Sequence, residues 1–108
     1  MPAMDALPPL IADRVAEVRA LCEKYHVKRL TLFGSAVKGT FDAKSDVDFI
    51  VEFEWDPDPL ERGRRWLELW DELKDLFGRH VDLIVSTTIR NPYFAQAVEH
   101  AHLDLYAA

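Results

Sequence analysis

The residues best suited to chemistry in this chain are three carboxylates and a glycine-serine bend. Asp46 and Asp48 stand two apart in Ser45-Asp46-Val47-Asp48, and Asp82 follows in His80-Val81-Asp82-Leu83-Ile84-Val85. On an extended strand, two-residue spacing points both side chains to one face, ~7 Å apart along the chain. Three carboxylates at close range repel one another and would raise at least one pKa unless a cation joins them. Hard oxygen donors favour Mg²⁺ or Mn²⁺ over zinc. Gly34-Ser35 comes before the acids, and Gly39 lies four residues after Ser35. A glycine lets the backbone approach a phosphate, and the N–H groups opening a helical turn, with a hydroxyl, can hold it. Metal carboxylates beside a phosphate cradle describe phosphoryl-group chemistry with two metal ions.

These residues need a scaffold that brings them together. Pro8 and Pro9 suit a first helical turn. Ile11, Val15, Val18, Leu21 or Cys22, and Tyr25 then recur at three- and four-residue steps, predicting an amphipathic helix of about four turns. Leu30–Phe33 reads as a strand, Ser35–Lys38 as one helical turn closed by Gly39, and Val47–Phe53 as a second strand. Asp56-Pro57-Asp58-Pro59 breaks the chain and starts a long helix that runs to Gly78. His80–Val85 is a third strand, and Asn91-Pro92 opens a last helix predicted over about 91–106. A long helix between the second and third strands implies a crossover and a parallel pair, so Asp48 and Asp82 start side by side. The tight connection from the first strand to the second implies an antiparallel pair, which brings Phe33-Gly34-Ser35 to the same end. The expected fold is α/β (α+β): a small mixed sheet of about three or four strands flanked by helices.

The stretch GSAVKGTFDAKSDVDFIVEFE resembles the GS-x-G-x-DxD signature of the nucleotidyltransferases of the DNA polymerase β superfamily. With the short chain, HVDLIV and a final LYAA, it looks like the minimal nucleotidyltransferases commonly paired with HEPN-domain toxins in toxin–antitoxin operons. The resemblance covers residues ~28–106 and implies a polymerase β palm-like fold. It implies that Asp46, Asp48 and Asp82 are catalytic and bind two Mg²⁺ ions, with Mn²⁺ as an alternative. It also implies that Asp82 helps deprotonate an acceptor hydroxyl, and that Gly34 and Ser35 hold the triphosphate. Lys38, Gly39 and Ser45 join them as nucleotide-binding candidates, with Lys38 standing where many members carry Arg. The implied reaction is attack of a hydroxyl on the α-phosphate of a nucleoside triphosphate, usually ATP, releasing pyrophosphate. The implied partner is a HEPN toxin, adenylylated on a Tyr, Ser or Thr. Neutralisation of the toxin by contact alone is the second reading, and nucleotidyl transfer to a small molecule or an RNA end is the third.

Composition bounds the rest. The chain has 108 residues, with 13 Lys+Arg against 19 Asp+Glu and a net charge of −6, which disfavours nucleic acid as a partner. No apolar run reaches the ~20 residues of a membrane span, and the first residues lack a signal-peptide pattern, so a cytoplasmic location is expected. One domain is expected over 1–108, with a loose leader at 1–7, Met1 or Met4 as start, and the core of the fold over 28–86. Homo- or hetero-association is left open. The single cysteine, Cys22, excludes an internal disulfide and reads as core. Trp66 and Trp70, one helical turn apart, read as packing rather than as a docking patch. Arg62, Arg64 and Arg65 read as a solvated helix face. Arg79 is open to phosphate or an acidic partner. His26 and His80 show no partner, and His100 and His102 fall on different faces of the last helix. Tyr93, Phe94 and Tyr106 read as packing.

Overall fold

The computed structural model describes residues 7–39, 41–42, 44–88, 92–100 and 102–108. Helices α1 (Pro9–Ala12) and α2 (Val15–Lys24) lead into β1 (Val27–Phe33) and the single turn α3 (Ser35–Lys38). Strand β2 (Val47–Phe53), helix α4 (Pro59–Phe77) and β3 (Val81–Val85) follow. A 3-10 turn over Ser86–Thr88, helix α5 (Pro92–His100) and β4 (His102–Ala107) complete the order. The four strands form one mixed sheet in the order β3-β2-β1-β4. β1 is antiparallel to both β2 and β4, whereas β2 and β3 are parallel. The α4 crossover makes that parallel pair sterically accessible.

Strand alternation divides the sheet into two faces. Leu30, Leu32, Val47, Phe49, Val51, Val81, Leu83, Leu103 and Leu105 are buried. They join a core with Ile11, Val18 and Cys22 from α1 and α2, and Leu69, Leu73 and Phe77 from α4. This core therefore reaches beyond residues 28–86 at both ends. Leu7, assigned by sequence to the loose leader, is buried with it. The opposite face carries Thr31, Asp48, Ile50, Asp82, His102 and Asp104, with Thr31 donating to Asp104 Oδ1 at 2.7 Å.

Two predicted elements differ from the observed ones. The first helix is broken at Asp13-Arg14 into α1 and α2. The last predicted helix, about 91–106, ends at His100, and His102–Ala107 forms β4 against β1. His102-Leu103-Asp104-Leu105-Tyr106 alternates polar and apolar, and without β4 the second edge of β1 would lie unpaired. His100 and His102 thus occupy different elements, and His102 Nδ1 lies 2.8 Å from the Val98 carbonyl. The side chain of Phe94 lies outside the described residues.

Helix α4 starts and stops where its sequence says. Asp58 caps it by accepting from the Leu60 N–H at 3.0 Å, and Gly78 ends it in a left-handed conformation. Arg64 lies on the solvated face and pairs with Glu61 and Glu68. Arg65 does not share that face. It is buried, donates to Asp56 Oδ2 at 2.9 Å and to the Glu54 carbonyl at 3.3 Å, and so pins the β2–α4 connection. Arg62 donates to the Asp56 carbonyl at 2.6 Å and lies over the Trp55 ring.

Trp66 and Trp70 stack with ring centroids 5.6 Å apart and do more than fill space. Their indole N–H groups donate to the Leu83 carbonyl at 2.9 Å and the Val81 carbonyl at 2.7 Å. Strand β3 is an edge strand, and alternate carbonyls on its outer side need partners or water. The two indoles supply them from α4. Replacing either with Phe (Trp66→Phe, Trp70→Phe) should destabilise the fold by about 1 kcal/mol, because a strand-edge carbonyl loses its donor. Urea unfolding checks this: a lower midpoint at unchanged slope is expected, and an unmoved midpoint in both variants would remove the indoles from the account of the edge.

Candidate functional site

The site begins where β1 ends. Gly34 adopts φ 78°, ψ −148°, a region costly for any residue with a side chain. A Cβ there would also stand 2.5 Å from Asp48 Oδ2. The backbone at Gly34 is thus pressed against a carboxylate, and both demands select glycine. The Gly34 carbonyl then accepts from the Val37 and Lys38 N–H groups at 3.1 and 3.0 Å, forming α3. Ser35 opens this turn, Lys38 is exposed at its end, and Gly39 closes it in a left-handed conformation.

The register gathers the acids. Phe33 faces Asp48 across β1–β2, and Asp48 faces Asp82 across β2–β3. The Asp82 carboxyl is close enough to Asp48 to disfavour its ionised form. Asp46 precedes β2 on the same side, and ligand atoms of Asp46, His80 and Asp82 all lie within 4.8 Å of one another. The structure therefore brings the three sequence-identified acids to one place, with the Gly34-Ser35 bend beside them. Burial, then Asp82, then Asp46, push the Asp48 carboxyl up from 3.8 to about 6, and only His80 opposes the rise.

Sequence reasoning missed His80. It found no partner for this residue, yet His80 Nε2 lies 3.0 Å from Asp82 Oδ1. The signal was available: His80 is two residues before Asp82 and shares its side of the strand. His26, also read as lacking a partner, lies 3.9 Å from Glu54. Ser45 is engaged within its own loop, where its hydroxyl donates to Asp42 Oδ1 at 3.2 Å and accepts from the Asp42 N–H at 3.0 Å. Arg79 donates to the Asp42 and Ser45 carbonyls at 3.0 and 2.9 Å and lies over Phe41, so it fastens that loop to the entry of β3. Cys22 is fully buried, and its thiol is pushed up to about 12, as suits an inert core residue.

The donor set fits a divalent ion. Two ligands of one Mg²⁺ ion lie at most ~4.2 Å apart, since each bond is ~2.0–2.1 Å. The observed spread needs only small side-chain rotations to meet that limit. Among the described residues no Lys or Arg pairs with Asp46, Asp48 or Asp82, so the carboxylates are short of positive charge. A cavity of about 210 Å³ continues along the same sheet face, lined by Thr31, Ile50, Ser86, His102 and Asp104 among others. A larger one, about 580 Å³, lies at the far ends of β2 and β3 beside Trp55 and Arg62, away from the acids.

The sequence profile of the nucleotidyltransferase domain family matches residues 18–104, from α2 into β4. The chain belongs to this family. A Methanocaldococcus jannaschii protein named as a protein adenylyltransferase is 42% identical over 81 residues, covering 75% of this chain and 79% of that one. The protein adenylyltransferase MntA of Thermococcus cleftensis is 33% identical over 89 residues, covering 82% and 86%. The fold is shared with a toxin–antitoxin complex with AMP-PNP, at TM-score 0.67 and 22% identity over 87% of this chain and 73% of that one. It is shared too with the complex of a tri-AMPylated Shewanella oneidensis HEPN toxin and its MNT antitoxin, at TM-score 0.55 and 18% identity over 88% and 71%.

In this nucleotidyltransferase domain the crowding of Asp48 has a measurable consequence. A carboxyl held above its ordinary value binds its proton more tightly when folded. Its contribution to stability is therefore complete below pH 3.8 and is lost as the pH rises through about 6. At pH 7 without metal, Asp48→Asn should stabilise the fold by about 1 kcal/mol, allowing for solvent screening, or about 4 °C in Tm. The gain should vanish at pH 4. Thermal unfolding at the two pH values checks this, and a loss of stability at pH 7 would make Asp48 a structural acid.

Proposed function

We propose that the chain is a Mg²⁺-dependent adenylyltransferase of the antitoxin type, acting in the cytoplasm, that moves AMP from ATP to a Tyr, Ser or Thr hydroxyl of a HEPN toxin. The observation that carries this reading is the pairing of Asp48 with Asp82 across β2–β3, with Gly34 pressed onto Asp48 from the other side. Relatives named for protein adenylylation and the shared fold of an antitoxin bound to an AMPylated HEPN toxin support the choice of donor and acceptor.

Each residue then has a task. Asp46, Asp48 and Asp82 would hold two divalent ions, Mg²⁺ with Mn²⁺ as the alternative. When bound, the ions neutralise the triphosphate and stabilise the attacking and leaving oxygens. The Ser35 N–H and hydroxyl at the start of α3 hold phosphate oxygens, with Gly34 allowing the close approach and Gly39 shaping the exit of the turn. Lys38 supplies a point charge near the phosphates. Ser45, tied to Asp42, acts by keeping the loop before Asp46 in place. Asp82 orients the acceptor hydroxyl and takes its proton. The hydroxyl oxygen bonds to the α-phosphorus, the bond to the β-phosphate oxygen breaks, and pyrophosphate leaves with that electron pair.

Incubation with the HEPN protein of its own operon, ATP and Mg²⁺ should add one or more AMP groups to that protein, as read by intact-mass spectrometry. Asp46→Asn combined with Asp48→Asn should slow the transfer by at least about 100-fold. An unmodified toxin that is still neutralised would instead assign the chain to inhibition by contact.

A further inference from the structure

His80 completes a rectangle of donors. The β2–β3 register pairs Val47 with Val81 and Asp48 with Asp82, so one step earlier it sets Asp46 opposite His80. The Val47 N–H donates to the His80 carbonyl at 3.1 Å, which anchors that step even though His80 precedes the strand. Two-residue spacing puts His80 on the same side as Asp82. Its imidazole Nε2 lies 3.0 Å from Asp82 Oδ1, and among the described residues this is its one ring partner. Asp46, His80 and Asp82 are exposed, and their ligand atoms lie within 4.8 Å of one another. An incoming ion would meet two carboxylate oxygens and one aromatic nitrogen at the same distance range.

We propose that His80 is a direct ligand of a divalent ion at this site, giving it a mixed nitrogen–oxygen donor set that favours Mn²⁺ over Mg²⁺. The inference rests on the reading of the acids as metal-binding and adds the imidazole to it. On ion entry the His80–Asp82 contact is exchanged for two bonds to a shared cation. Mg²⁺ demands near-ideal octahedral oxygen ligation and sheds water reluctantly, so an imidazole adds little to its binding. Mn²⁺ also prefers oxygen donors but, as a first-row transition ion, accepts one nitrogen among them, and the imidazole therefore tips the site toward Mn²⁺.

The test uses the full chain with metal alone. Mn²⁺ binding is followed by loss of the free-ion electron paramagnetic resonance signal, and Mg²⁺ by competition. The unaltered chain should bind Mn²⁺ more tightly than Mg²⁺ and show nitrogen coupling to bound Mn²⁺. His80→Ala should lower Mn²⁺ affinity about 10-fold or more and abolish the coupling, while Mg²⁺ affinity stays within about 3-fold of its original value. His80→Gln, which keeps an oxygen or amide nitrogen near the position, should also lose the imidazole coupling. Unchanged Mn²⁺ affinity and absent coupling in the unaltered chain would overturn the proposal. Asp46→Asn separates the two levels. If it weakens Mn²⁺ binding and His80→Ala does not, only the role of His80 falls. If neither variant matters, the carboxylate site itself falls, and the ligand role of His80 with it.

Discussion

The structure is organised around an unfavourable contact. Parallel pairing of β2 with β3 sets Asp48 directly beside Asp82, and Asp46 stands one step away. No fold needs this for its own stability, since burial of a carboxylate and like charges at this range both oppose folding, and together, burial first, they have raised the Asp48 carboxyl well above its ordinary range. What the arrangement provides is unmet demand for positive charge at one point of the surface. The rest of the molecule holds that point rigid.

Rigidity comes from the covered face. The β2 and β3 residues flanking the acids, Val47, Phe49, Val81 and Leu83, are buried against α4 and its neighbours. A one-residue slip of either strand would drive an aspartate into this core and expose a valine, so hydrophobic burial locks the register that the acids strain against. Trp66 and Trp70 close the outer edge of β3 and β4 closes that of β1. The open face can then be given over to polar groups, because the sheet does not depend on it for burial.

Much of this was legible in sequence. The Asp-x-Asp spacing, the Asp56-Pro57-Asp58-Pro59 breaker and the long helix before Asp82 are local signals, and topology turns them into a parallel pair with a definite alignment. The missed features are those that local signals do not carry. Leu103 and Leu105 suit a helix face as well as a strand face, and only the free edge of β1 decides between them. Arg65 sits between half-buried Arg62 and exposed Arg64, and its burial depends on where Asp56 and the Glu54 carbonyl return in space. For His80 the two-residue spacing from Asp82 was a local signal left unread, whereas its closeness to Asp46 arises across strands.

Gly34 shows why the two halves of the site cannot drift apart. Its left-handed backbone and its approach to Asp48 are separate requirements, and one residue type meets both. The bend that opens α3 therefore lies close against a carboxylate on another strand. Because Gly34 carries no side chain, the bend and the Asp48 carboxylate can stand against each other, and the turn of α3 and the acids share one small space. Coupling of this sort is what chemistry at a phosphorus atom requires, because the groups that grip the phosphates and those that gather cations must agree in position before either is occupied.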